Sequence, residues 1–186
     1  LRTVCLVAAI CVIAGATRAS AQGPQLELSA GPILREVHGI ESTDRWGGDV
    51  RLGLVLKSSG SVTVHIAASG LVFGGPGDRP TDVAVPSERG VIGGFGAFES
   101  SADVRWSLRS SPQGAFVSIG AGAIRFAPGG PDPQWPGMLG GGVGYVHAIG
   151  ERRALFVEGR CERVLDIDGS PTWLAPILVG AMWAVR

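Results

Sequence analysis

The segment "SVTVHIAASGLVF", Ser61 to Phe73, decides between two ways of building an all-β protein. Val62, Val64, Ile66, Ala68, Gly70 and Val72 fall on one parity, and Ser61, Thr63, His65, Ala67 and Ser69 fall on the other. Successive side chains of a strand point to opposite faces, so this is an oily face backed by a polar one. A soluble sandwich or barrel turns the oily face inward. A membrane barrel turns it toward lipid and lines its interior with the polar face.

The same alternation runs through the rest of the chain. Leu26, Leu28 and Ala30 oppose Gln25, Glu27 and Ser29, and Val50, Leu52, Leu54 and Leu56 oppose Asp49, Arg51, Gly53 and Lys57. Further on, Trp106 and Leu108 share a face opposite Asp103 and Arg105, Val117 and Ile119 oppose Ser118 and Gly120, and Leu139, Val143 and Tyr145 oppose Gly140, Gly142 and Gly144. The last two segments set Leu155 and Val157 against Glu158, Arg160 and Glu162, and align Trp173, Ile177, Val179 and Trp183 on one parity. Apolar residues recur at two rather than at three and four, which predicts strands and no long amphipathic helix. The count is eight strands, provided that "VIGGFGAF" and "ADVRWSLR" are one long strand.

The connections between these segments alternate in length. Residues 37–47 and 74–90 are long, 58–60 and 110–113 are short, 128–136 is fairly long, 149–152 is short and 166–171 is short to medium. An up-and-down barrel puts alternate connections on opposite rims, and outer-membrane barrels carry tight turns on one rim and longer loops on the other. Both termini then lie on the short-turn rim.

Upstream, "LRTVCLVAAICVIAGATRASAQ" has an Arg, an apolar run from Val4 to Ala16, and the small residues Ala19-Ser20-Ala21. That is the layout of a secretory signal peptide, expected to span residues 1–21 and leave a barrel domain at 22–186. As a membrane-crossing helix the run falls short of the ~20 residues a bilayer requires. Cleavage would remove Cys5 and Cys11, so Cys161 alone would remain and no internal disulfide could form. Sixteen basic residues balance sixteen acidic ones, which argues against nucleic acid as a partner.

The charges and rings indicate which face meets lipid. Asp49, Arg51, Asp103, Arg105, Glu158, Arg160 and Glu162 occupy polar faces and would form a paired charge network in the lumen. Turned against an apolar core instead, each unpaired ion would cost several kcal/mol. Leu52, Leu54, Val64, Ile66, Val117, Ile119, Ile177 and Val179 would face lipid, bracketed by an aromatic girdle of Trp106, Tyr145, Trp173 and Trp183. Trp46 and Trp135 are expected in the adjoining loops. Eight strands enclose an interior that side chains can fill, so the expected barrel is plugged. The inner-face glycines 140, 142 and 144 would make space for long Arg side chains opposite.

With the "ASA" signal end, eight alternating strands, the loop rhythm and the closing "GAMWAVR", the chain resembles the small eight-stranded outer-membrane barrels of the OmpA and OmpX kind. The resemblance covers residues 22–186 and implies an antiparallel up-and-down transmembrane β-barrel in the outer membrane of a Gram-negative cell. Its implied partners are outer-membrane lipid and the barrel-assembly machinery. Members usually close on a strand ending in Phe; here Trp183 stands near the end and Arg186 is last.

No residue pattern points to catalysis. His38, His65 and His147 are dispersed, the nearest acid and hydroxyl group being Glu36, Glu41 and Ser42 around His38, and three His with one Cys offer no metal-ligand spacing. The glycine runs "GFGAF" and "GGGVG" lie inside strands and open no helix, so they are not phosphate loops, and no cofactor is expected. Two functional classes follow. One is a non-enzymatic barrel serving envelope structure, or surface binding of an extracellular ligand through loops 37–47 and 74–90. The other is a soluble exported, lipocalin-like barrel carrying a small apolar ligand, which would need its oily face turned inward.

Overall fold

A computed structural model describes residues 24–37, 45–59, 61–73, 95–108, 113–127, 135–165 and 172–185. The expected signal peptide, His38 with its neighbours Glu41 and Ser42, and most of the long loops lie outside the described residues. Eight strands follow one another: β1 (Gln25–Val37), β2 (Arg45–Ser59), β3 (Val62–Phe73), β4 (Phe95–Ser107), β5 (Gly114–Ala127), β6 (Gly137–Ala148), β7 (Arg153–Val164) and β8 (Thr172–Ala184). Each pairs antiparallel with the next, and β8 pairs back on β1 to close the barrel. Closure satisfies the backbone groups that an open sheet would leave at its edges, a requirement for crossing lipid with strands.

Residues 95–107 form one strand, so the count is eight. β2 begins earlier than the loop rhythm implied. Trp46 therefore sits on a strand, opposite Leu34, and not in a loop. The ladder of β8 is interrupted beside Pro176 on its β7 side and beside Pro32 on its β1 side. A proline has no N–H to give to a ladder.

On the short-turn rim, Gly114 (φ 113°) and Gly150 (φ 151°) hold positive backbone angles that a side chain would disfavour. Gly150 lies in the turn between β6 and β7, where the Ile149 amide donates to the Arg153 carbonyl at 2.9 Å. The Val185 amide donates to the Pro24 carbonyl at 3.0 Å, tying the two ends of the described chain together at this rim.

Parity now has a direction. The residues expected to alternate outward do so: Leu52, Ile119, Ile177 and Val179 are each more than half exposed, and Ile66 and Val117 are exposed by a little more than a third. Leu54 is half-buried. Val64 differs from the expectation: it keeps outward parity but is only 7% exposed. Its register partners are Leu56 and Val104, with Trp106 on the diagonal, and the longer Leu56 and Trp106 side chains can cover a short β-branched one.

Candidate functional site: a charged lumen inside an apolar belt

The inward face is layered along the barrel axis. Nearest the long loops, Ile33, Leu71, Phe73, Ile124, Met138, Val164 and Leu174 pack into one apolar layer. Toward the short-turn rim, Val55, Phe116, Val146, Phe156 and Met182 pack into a second. Between them lies a belly of buried polar groups, including Glu27, Asp49, Arg51, His65, Ser69, Glu99, Asp103, Arg105, Ser118, Glu158, Arg160 and Glu162. All seven residues expected in the lumen are in this belly. Glu27, His65 and Glu99 join them, although the sequence reading did not include them in the network.

Three guanidiniums organise the belly. Arg160 on β7 donates from Nε to Glu162 Oε1 at 2.6 Å, from Nη1 to Glu158 Oε1 at 3.2 Å and from Nη2 to Asp103 Oδ1 at 2.6 Å. Arg51 on β2 donates from Nε to Ser69 Oγ at 2.9 Å and from Nη2 to Glu99 Oε1 at 3.2 Å, with Glu162 Oε1 at 3.5 Å. Arg105 on β4 donates to Glu158 Oε2 at 2.8 Å, and its Nη1 lies 3.6 Å from Glu27 Oε2. Ser118 donates to Glu158 Oε1 at 2.7 Å. His65 Nδ1 lies 3.1 Å from Glu27 Oε2, and its Nε2 lies 3.2 Å from Thr63 Oγ1.

Several of these bonds cross the lumen. Arg51–Glu162, Arg105–Glu158 and Arg160–Asp103 join strands that are not neighbours around the barrel. The network therefore braces opposite walls. Arg105 also anchors it to the lower apolar layer, since its guanidinium lies 4.2 Å from the Phe116 ring centroid and 5.4 Å from that of Phe156. Carboxylates outnumber guanidiniums in the belly. The excess collects near Arg51, where both oxygens of Asp49 and one each of Glu99 and Glu162 have no hydrogen-bond partner in the protein.

β6 gives the interior its room, by a finer division of labour than making space for arginines alone. A side chain on Gly142 would meet Arg160 Cγ at 2.9 Å, and one on Gly140 would meet Glu162 Cγ at 2.6 Å. One on Gly144 would strike the Phe116 ring. On β5, Gly120 plays the same part for Asp103.

Outside, the apolar belt is bounded by rings. Trp106, Tyr145 and Trp183 lie near the short-turn rim, where Trp106 pairs with Val62 and Trp183 with Leu26 and Arg153. Trp173, opposite Glu36 and Arg163, belongs to the long-loop rim together with Trp46. The Trp135 ring meets Phe98 edge to face at that rim, with centroids 6.1 Å apart. Among the described residues, no charged side chain occupies the outer parity between these two rims. Cys161 faces outward within the belt, on the same rung as Gly141 and Ile119. Amphipathic rings at both edges of an aliphatic band, around a polar interior, are the features of a membrane-spanning barrel.

Among solved structures, Neisserial surface protein A is similar over 90% of this chain and 100% of its own, at 12% identity and a TM-score of 0.66. The fold is that of a small outer-membrane β-barrel. The outer-membrane protein AlkL (TM-score 0.49, 14% identity, 90% of this chain and 94% of that one) also matches. So does Ail, the attachment invasion locus protein of Yersinia pestis (TM-score 0.48, 11% identity, 87% and 99%). No family profile and no curated protein sequence matches the chain.

In an outer-membrane barrel fold the oily face is the outer one, and this orientation removes the basis for a lipocalin-like carrier. The apolar layers inside are clusters of buried side chains, and a layer of ionic groups lies between them. Among the described residues, no group of three or more His, Cys, Asp or Glu is arranged to hold a metal ion.

Proposed function

We propose that the protein is a non-enzymatic barrel of the Gram-negative outer membrane, closed to ions, acting as an envelope component or through surface binding at its long-loop rim. The observation that carries this reading is the filled interior: a cross-braced charge layer between two apolar layers. An ion path needs a continuous wet route, and an apolar layer at each end of the belly opposes one. The outward apolar belt supports the location, because water around it would leave a large oily surface unburied.

The test has two readings. Cells expressing the full chain are fractionated, and the outer-membrane fraction is run on a gel with and without boiling; a heat-dependent shift is expected of a closed, lipid-embedded barrel. The same purified protein is then inserted into a planar bilayer, where no unitary conductance steps are expected. Recovery as a soluble periplasmic protein would overturn the location, and steady unitary steps would overturn the closed lumen.

A further inference from the structure

Among the described residues, charge is absent from the outer face between the aromatic rims, yet two arginines stand on that face at the long-loop rim. Arg125 on β5 and Arg163 on β7 are both exposed and both have outward parity. Each is seated on an indole: the Arg125 guanidinium lies 6.0 Å from the Trp135 ring centroid, and that of Arg163 lies 5.7 Å from Trp173. Trp135 is itself held edge-on by Phe98. Neither arginine is in an ion pair with a carboxylate among the described residues. Among the described residues, the outward acid at this rim is Glu36, which stands on the far side of Trp173 from Arg163.

A guanidinium with one face on a ring keeps its N–H edge free, and that planar fork matches phosphate oxygens. The stem of such an arginine lies along the belt while its head reaches headgroup level. Water alone would solvate these heads equally well on flexible side chains. Seating both on indoles at one rim instead fixes where a cation meets the leaflet.

We propose that Arg125 and Arg163 form two seats for phosphate groups of lipids in the leaflet on the long-loop side. The inference rests on the lipid-embedded reading above.

The experiment uses the full-length folded protein in uncharged alkyl maltoside micelles, with folding read first by the heat-dependent gel shift. Phosphatidic acid, diacylglycerol and inorganic phosphate are then titrated separately, and bound adducts are counted by native mass spectrometry. Saturable retention of phosphatidic acid and little retention of diacylglycerol are expected. The double variant R125Q/R163Q should bind phosphatidic acid about tenfold more weakly, the scale of losing charge-assisted hydrogen bonds. Each single variant should show a smaller loss, and R153Q, at the opposite rim, none. Equal binding by the folded double variant, equal binding of diacylglycerol, or inorganic phosphate matching the lipid would each overturn the proposal. Absence of the gel shift would instead overturn the lipid-embedded reading.

Discussion

Replacing Arg160 by Met would remove the partner shared by Asp103, Glu158 and Glu162 while leaving all three carboxylates buried. Removing one member of a buried ionic group costs about 3–5 kcal/mol, so a marked fall in the urea midpoint of the folded barrel is expected, read by the gel shift. Ile119 tests the other face. It is 58% exposed and surrounded by aliphatic outward neighbours, so Ile119→Arg should cost ~2–4 kcal/mol near the bilayer midplane and reduce assembly. Leu54→Arg should have a smaller effect, because that side chain is half-covered. These residues were legible from parity alone. Glu99 was not: it shares a face with Asp103 and Arg105 only if residues 95–107 are one strand, and the polar run Glu99-Ser100-Ser101 breaks the apolar alternation between the two segments. A spacing of four from Asp103 was the available signal. Glu27 and His65 were visible on polar faces, but nothing local says that they meet across the intervening β2.

Within single strands, alternation identifies faces but does not reveal how an inner face changes character along the axis. Phe73, Phe116, Phe156 and Met182 share parity with polar residues on their own strands, and they lie toward the strand ends. Read strand by strand they look like isolated exceptions; only the register stacks them into layers. β6 shows the converse. Its inner glycines are legible as space, yet which neighbour fills each space depends on pairing with β5 and β7. Gly144→Leu should therefore overpack against Phe116 and destabilise the barrel by roughly 1–3 kcal/mol, measured as a lower urea midpoint. Gly159→Ala, on the outer side with nothing near its Cβ position, should leave that midpoint nearly unchanged.

For the whole molecule, the alternation of long and short connections carried the topology. Long links must share one rim in an up-and-down barrel, and the strand order follows. Closure was expected only through the loop rhythm and the family resemblance, since β1 and β8 are far apart in sequence and no local pattern announces their pairing. The interior then acts as a set of struts: bonds from β2 and β4 to β7 hold opposite walls at a fixed separation. This cross-section should resist distortion better than backbone ladders alone. With all three lumen arginines replaced by Met, hydrogen exchange at mid-strand amides of β4 and β7 should accelerate relative to the unaltered barrel.

Cys161 has a practical consequence for measuring immersion. Its thiol projects from the belt on the rung of Ile119, so with Cys5 and Cys11 changed to Ser it becomes a single attachment point for a nitroxide. Relaxation of that spin should respond strongly to oxygen, which dissolves in acyl chains, and weakly to a water-borne nickel chelate. The ratio of the two would report, in ångströms, how far below the headgroups the middle of this barrel rides.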